Sequence, residues 1–261
     1  MVEVLRVEVA MNNLRRWLQA ARHEAGLSLI LFLQVSIMFV VAPLSSTGWL
    51  SAQVVEAFRF GLGAAAVLTV VRGRLPVLLI LGSFGVSIFL QHELREGVGA
   101  TGLALTSIAV TSLFDVVVAV AVARVAFGPG RVTVHRILGG VILYLSIGLV
   151  FANLYRAAAI GLNPSFSGLP PDRRRALSEM LYFSLGALTT GGTGAIEPLH
   201  PFVRSLANLE SVIGQLFPPV LLGRLVSLHA AAAVDEDEPN GGSGSKERAG
   251  TKAPRFGGSG G

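Results

Sequence analysis

The stretch YFSLGALTTGGTGAI, Tyr182–Ile196, decides the fold of this chain, because it places a loop of Gly and Thr between two long apolar segments. An unpaired backbone carbonyl in lipid costs several kcal/mol. Irregular backbone is therefore found at membrane depth only where it is buried in protein or lines a water-filled path. A loop of this composition between two spans indicates a pore.

Composition assigns the whole chain to the membrane proteins. Of its 261 residues, 52% are hydrophobic and 14% are charged, and the mean hydropathy is +0.64; soluble domains are less apolar and more charged. The chain has no cysteine, which excludes disulfides, thiolate catalysis and cysteine metal ligands. The net charge of +5 comes from Arg residues near the ends of apolar segments. Topology and lipid headgroups explain such residues, so we expect membrane lipids and no nucleic acid as partners.

Six apolar stretches approach or exceed the length of about 20 residues that a spanning helix needs. They are Leu27–Leu44, Leu50–Val71, Leu75–Leu90, Val98–Phe127, Val134–Ile160 and Pro201–Leu228. Arg residues precede the first stretch, follow the second and flank the turn after the fourth, so the positive-inside rule predicts that both termini are cytoplasmic. The expected fold class is an all-α membrane protein with six transmembrane helices.

Four regions follow from these stretches. We predict a cytoplasmic amphipathic segment over 1–26, a four-helix transmembrane domain over 27–130, a pore domain over 131–229 and a disordered cytoplasmic tail over 230–261. The fourth stretch has no Arg at every third position, so the four-helix domain lacks a strong voltage-sensor pattern. Its Asp115 is costly in lipid, and Arg59 on the second stretch is the predicted partner, either in a structural pair or in an ion relay.

A short helix is predicted inside the connection between the fifth and sixth stretches. Ala176–Leu188 is apolar but too short to cross a membrane, so a re-entrant helix fits it. Pro170 and Pro171 stop the preceding chain, and Asp172 suits the helix N-cap. The C-terminus of this helix, which carries about half a negative charge, then points to the loop and favours a cation there.

The motif from Tyr182-Phe183-Ser184 through Thr189-Thr190-Gly191-Gly192-Thr193-Gly194 to Pro198 resembles the pore helix and filter of tetrameric potassium channels. The segment from Leu199-His200-Pro201 through Glu210 and Gly214 to Arg224-Leu225-Val226 is similar to the inner helix of bacterial members of that family. The match covers residues 134–228, and it covers the first four stretches by their number and placement alone. The resemblance implies a homotetramer in a bacterial plasma membrane, with the pore helix and filter loop between helices five and six.

The same resemblance implies an ion pathway whose filter is Thr189, Thr190, Gly191, Gly192, Thr193 and Gly194. Potassium or sodium would be the permeating ion, and no cofactor is implied. The family's Thr-Val-Gly-Tyr-Gly filter is changed here, since Gly191 replaces Val, Thr193 replaces Tyr, and Ala195 replaces the acidic residue that follows. Gly186 on the pore helix also lacks the acidic strut of some relatives. We expect a channel that is weakly selective for potassium or rarely conducts. The alternative is a non-conducting pore-like scaffold or a modulatory subunit.

Two further groups of residues flank the predicted pathway. Arg173, Arg174 and Arg175 are expected at the outer mouth, where they either pair with acidic groups and lipid phosphates or lower the local cation concentration. Gly214 and the pair Pro218 and Pro219 on the last span are candidates for a gate or hinge, because proline removes helix hydrogen bonds; a permanent kink is the other interpretation. Glu210 is expected either to face the cavity or to bond to the pore helix.

Two other classes of protein compare less well with the sequence. An enzyme is not expected, because the chain has no nucleophile elbow, paired catalytic carboxylates or phosphate-binding loop. The five His residues are dispersed, so no metal site is predicted. A secondary transporter would also use interrupted helices near mid-membrane, but such proteins are built from paired halves, and no repeat of 176–194 occurs in 1–133.

Overall fold

The computed structural model describes residues 25–71, 73–96, 100–128, 134–170, 175–192 and 194–237. In this part of the chain the structure is almost entirely helical. The helices are α1 Ala25–Ser46, α2 Ala52–Thr69, α3 Arg74–Glu96, α4 Ala100–Ala126, α5 Val134–Gly161, α6 Ala176–Leu188 and α7 Pro201–Asp237. Two short strands, β1 Phe166–Ser167 and β2 Glu197–Pro198, pair antiparallel on either side of α6 in sequence.

Each of the six predicted apolar stretches contains a helix. Four helical segments among the described residues are long and apolar enough to cross a membrane, namely Ala25–Ser46, Thr101–Ala126, Arg136–Gly161 and Pro201–Ser227. The apolar segment Arg74–Leu90 of α3 is shorter, and α2 has only 18 residues and includes Glu56 and Arg59. The structure thus establishes a helical protein with four membrane-length apolar helices.

The buried apolar side chains form two clusters. The first joins α1, α2 and α4 and includes Leu27, Leu62 and Phe114. The second joins α5, α6 and α7 around Tyr155 and Phe183, and Met38 from α1 also contributes to it. Helix α5 packs against α4 on one side and against α6 on another. It therefore connects the two clusters and holds the short helix α6 in place.

Several sequence predictions lie outside the described residues: the segment 1–24, Asp172, Arg173, Arg174, Thr193 and the end of the tail, 238–261. The start of the predicted disordered tail at Ala230 needs correction, because α7 continues to Asp237. Four consecutive alanines, Ala230–Ala233, account for the difference. Alanine has the highest intrinsic helix propensity, so this run extends the helix that precedes it.

Candidate functional site

Helix α6 has the bounds that the sequence predicts, Ala176–Leu188, and its 13 residues span about 20 Å, less than the hydrocarbon core of a bilayer. It is nevertheless a core element. Six of its side chains are buried: Met180, Leu181, Phe183, Ser184, Ala187 and Leu188. A short apolar helix that is buried on this scale is held by its neighbours, which here are α5 and α7.

The C-terminal carbonyl groups of α6 are hydrogen bonded by both neighbouring helices. Tyr144 on α5 donates from its hydroxyl to the Leu188 carbonyl at 3.2 Å. Ser211 on α7 donates to the Ala187 carbonyl at 2.9 Å. These are groups that a helix end leaves without an intrahelical partner. The negative end of the α6 dipole is therefore fixed in position by side chains from two other helices.

Gly214 on α7 lies directly against this helix end. A Cβ atom built on Gly214 would stand 1.9 Å from the Leu188 carbonyl oxygen and 2.7 Å from its carbonyl carbon. Real Cβ atoms do not approach backbone that closely, so only glycine permits α7 to pack here. The sequence offers Gly214 as a hinge, whereas the structure gives it a packing role at the end of α6.

A buried carboxylate ties α7 to the middle of α6. Glu210, with no exposed surface, accepts hydrogen bonds from the hydroxyl of Tyr155 at 2.7 Å and from the hydroxyl of Ser184 at 2.5 Å. Ser184 also lies 2.8 Å from the Gly148 carbonyl on α5. Of the two orientations that the sequence leaves open for Glu210, the structure has the one that bonds to α6.

The Gly-rich loop after α6 has left-handed backbone at three of its described residues. Thr189 is right-handed with φ −93°, Thr190 has φ +56°, Gly192 has φ +91° and Gly194 has φ +63°. Thr190 is the one non-glycine residue with positive φ among those described, a conformation that costs about 1–2 kcal/mol for a residue with a Cβ. Thr189, Thr190, Gly191, Gly192 and Gly194 are all exposed in the single chain.

Tyr182 supports the far end of this loop. A Cβ atom on Gly194 would lie 2.6 Å from the Tyr182 hydroxyl oxygen and 2.9 Å from its ring. The loop backbone thus rests against an aromatic side chain that comes from α6 itself. In the comparison with the potassium-channel motif, Thr193 stands where the family has Tyr. The comparison does not reveal that Tyr182 on α6 contacts the loop at Gly194.

The residues near α6 that the sequence does not single out share one property, which is that they are tyrosines. The chain has three tyrosines, and Tyr144, Tyr155 and Tyr182 contact the carbonyl end, the buried network and the loop of the α6 region respectively. Three residues of one rare type that all lie near one short helix would have been a usable clue. Tyr144 and Tyr155 lie on α5 and Tyr182 lies on α6, so their positions in the sequence give no reason to group them before the helices are placed.

Both ends of the loop are anchored. Strand β2 pairs with β1, with Phe166 opposite Pro198 and Ser167 opposite Glu197. The Ser165 carbonyl accepts hydrogen bonds from the backbone N–H groups of Leu199 and His200 at 2.9 and 3.3 Å. The chain therefore leaves the loop along a fixed ribbon before it enters α7.

The outer-mouth prediction is described only at Arg175, since Arg173 and Arg174 lie outside the described part of the chain. Arg175 is exposed and occupies the N-cap position of α6, without a side-chain cap hydrogen bond. Glu179 lies in the first turn of the same helix, where a negative charge is favourable.

The gate candidates Pro218 and Pro219 are exposed and lie within a continuous α7. Farther along α7, Arg224 donates to the Phe127 carbonyl, and its guanidinium lies 5.2 Å from the centre of the Phe127 ring. The lower part of α7 is therefore connected to the end of α4.

Asp115 is buried, but its hydrogen-bond donor is not the predicted one. Asn153 on α5 donates to its carboxylate at 2.9 Å, whereas Arg59 donates to Thr111 at 3.1 Å, one turn before Asp115. Arg59 and Arg156 remain near enough to interact electrostatically with the carboxylate. A wider network thus takes the place of the predicted direct pair between Arg59 and Asp115, because Asn153 from α5 reaches the carboxylate. The sequence does not predict this contact, since it does not position α5.

Within the described residues no three His, Asp or Glu side chains come together as a metal site. No family model, curated protein or solved structure matches this chain. The structure alone therefore defines the class of this protein. It is a helical protein with four membrane-length apolar helices and a short buried helix that ends in a Gly-rich loop.

Proposed function

We propose that this chain forms a homotetrameric, potassium-channel-like cation channel with a non-standard filter. The observation that carries the proposal is the backbone after α6, where Thr190, Gly192 and Gly194 have left-handed φ at every second position. Selectivity filters use rings of backbone carbonyls to replace the hydration shell of an ion. Four such loops around one axis supply a ring of that kind.

The membrane arrangement in this proposal has α1–α5 and α7 crossing a bacterial plasma membrane, with both termini in the cytoplasm. Helix α6 enters from the outer side and returns through the loop. The positive-inside pattern of the Arg residues supports this orientation. The burial of a helix too short to span supports the re-entrant placement.

Exposed apolar surface supports assembly into an oligomer. Only 11% of the membrane-length window of α7 is buried in the single chain. The large apolar side chains exposed along it are Phe202, Leu209, Val212, Leu216, Val220, Leu222 and Val226. Tyr182 on α6 is also 56% exposed. A four-fold assembly would place part of this surface against neighbouring subunits and part against lipid.

Weak potassium selectivity follows from the composition of the loop. A selective ring needs carbonyls that keep their spacing when a smaller ion enters. Gly191 and Gly192 carry no side chains that could restrain the loop, although Tyr182 supports it at Gly194. We therefore propose an ion path that discriminates poorly between potassium and sodium or that opens rarely.

Reversal potentials of the purified protein in liposomes test this proposal. Under opposing potassium and sodium gradients, the reversal potential of the unmodified channel is expected to lie well short of the potassium equilibrium potential. Gly191→Val is expected to move it toward that potential, because a β-branched side chain stiffens the backbone. A Cβ at this position meets only the Thr189 hydroxyl, at 3.3 Å. Gly82→Val is the matched control, since a Cβ there has no neighbour within 4 Å.

Two results would count against the proposal. A reversal potential of the unmodified protein at the potassium equilibrium value would overturn weak selectivity. A correctly assembled oligomer that passes no cations, with or without Gly191→Val, would favour the non-conducting scaffold or modulatory subunit. A monomer that exchanges a solute through an internal cavity would favour a transporter.

A further inference from the structure

A polar cleft separates the four-helix part of the chain from the start of α6. Its volume is about 570 Å³, and Leu177 at the beginning of α6 forms part of its wall. The polar lining residues are Ser45, Ser51, Glu56, Arg59, Ser107, Thr111 and Arg156. None of these side chains belongs to the candidate ion pathway.

Two guanidinium groups face this cleft with most of their donors uncommitted. Arg59 donates to Thr111 at 3.1 Å, and its guanidinium lies 5.3 Å from the centre of the Phe114 ring. Arg156 donates to the Asn153 side-chain carbonyl at 3.0 Å. A guanidinium carries five N–H donors, and these contacts with described residues use one on each Arg. Asp115 lies near both groups behind the wall, so an acceptor on the cleft side would engage the donors that these contacts leave.

The charged side chains of the lining sum to +1. Arg59 and Arg156 contribute two positive charges and Glu56 one negative charge. Asp115 lies behind the wall, engaged by Asn153, and its charge balances the remaining positive charge. The N–H donors of Arg59 and Arg156, rather than the net charge, therefore define the site. Arginine forks match the oxygens of a phosphate bidentately.

The position of the cleft agrees with a phosphate at the membrane surface. Gly48 and Leu50 in the α1–α2 connection line it, together with the first half of α4, the end of α5 and the first turn of α6. All of these face the outer side in the membrane arrangement proposed above, on which this step rests. The mouth of the cleft at Gly48 and Leu50 lies at the level of the phospholipid phosphates, and Arg59 and Thr111 lie deeper, about two to three turns into their helices.

We propose that this cleft binds a phosphate oxyanion, supplied either by the headgroup of a phospholipid or by free inorganic phosphate. The bound phosphate bridges Arg59 on α2 and Arg156 on α5 next to the first turn of α6. It thereby couples the four-helix part of the chain to the helix that carries the Gly-rich loop.

Tryptophan fluorescence offers a direct test. The chain has two tryptophans, so Trp17→Phe leaves Trp49, which lies between the lining residues Gly48 and Leu50 and is 82% exposed. In vesicles of phosphatidylcholine, brominated phosphatidylglycerol is expected to quench Trp49 more than brominated phosphatidylcholine does at equal content. The double variant Arg59→Gln, Arg156→Gln is expected to weaken phosphatidylglycerol binding by about tenfold. Arg124→Gln, which removes one charge from an exposed Arg near the opposite end of α4, is expected to leave it unchanged.

A second variant moves the affinity in the opposite direction. Glu56→Gln removes the carboxylate of the lining and is expected to strengthen phosphatidylglycerol binding about threefold. This variant keeps both arginines, so it remains informative if the double variant fails to fold. Inorganic phosphate at millimolar concentration separates the two sources. Loss of the phosphatidylglycerol preference on its addition assigns the site to free phosphate, and persistence assigns it to the lipid.

Two results would overturn the site. One is unchanged phosphatidylglycerol binding by a folded Arg59→Gln, Arg156→Gln protein. The other is weaker binding by Glu56→Gln. Because fluorescence does not depend on ion flux, failure here leaves the cation-channel proposal intact, and a non-conducting protein with the expected binding leaves the phosphate site intact.

Discussion

Gly214→Ala is expected to separate α7 from the end of α6 and to abolish the assembled, functional protein. The added Cβ would stand 1.9 Å from the Leu188 carbonyl oxygen, and the atom that it meets is backbone, which cannot rotate away. Overpacking a well-packed site costs about 1–3 kcal/mol and more where backbone must move. We expect a loss of at least about 3 kcal/mol in the free energy of unfolding, measured as a lower thermal midpoint of the purified protein, together with loss of the proposed cation flux in liposomes.

The same helix provides the matched control. Gly223 has ordinary helical φ, and a Cβ built on it has no neighbour within 4 Å. Gly223→Ala is expected to stabilise the protein by about 0.5–1 kcal/mol, the usual gain for replacing an unneeded glycine inside a helix. Equal thermal midpoints for Gly214→Ala and the unmodified protein would show that the close approach to Leu188 is unimportant.

Glu210→Ala is expected to produce the second largest effect. The substitution removes the acceptor of the Tyr155 hydroxyl at 2.7 Å, and Tyr155 is fully buried. An unsatisfied buried hydroxyl costs about 1–3 kcal/mol, and the cavity left by the side chain adds to that cost. Ser184 retains the Gly148 carbonyl as an acceptor. We therefore expect a total loss of about 3–4 kcal/mol in the free energy of unfolding.

Two comparisons identify the cause of that loss. Glu210→Gln keeps a carbonyl acceptor and nearly the same volume, so it is expected to cost only about 1 kcal/mol. Glu197→Gln, at an exposed carboxylate on β2, is expected to change stability by less than about 0.5 kcal/mol. A double-mutant cycle with Tyr155→Phe should be strongly non-additive. Additive effects in that cycle would disprove the coupling between Tyr155 and Glu210.

Local sequence signals were sufficient for the helices. The bounds of α6 follow from the prolines before it and the glycines after it, since both residue types end helices. The long apolar runs likewise located the other helices, because burial or lipid contact requires them. The predicted start of the disordered tail at Ala230 is wrong. That prediction follows the acidic, Gly-rich composition farther along the chain, whereas the helix propensity of the alanine run extends α7.

Side-chain partners were much harder to predict from sequence. The contact of Gly214 with Leu188 depends on the angle at which α7 crosses α6, and no local pattern encodes that angle. Asp115 was assigned to Arg59 because both are rare charges in apolar helices, but Asn153 reaches the carboxylate from a third helix. The left-handed conformation of Gly192 and Gly194 agrees with the freedom of glycine at φ > 0, whereas Thr190 adopts it without that advantage.

The contact between Gly214 and Leu188 also separates two kinds of packing along α7. Between Pro201 and Ser227 the buried residues of α7 are Val203, Glu210 and Gly214, so its most tightly packed part ends at Gly214. Beyond Gly214 the helix contacts its neighbours through less buried side chains, with Phe217 beside Tyr144 and Leu221 beside Gly140 on α5. In the proposed channel, a bend at Pro218 and Pro219 would therefore move the inner end of α7 while the loop at Thr190 keeps its shape.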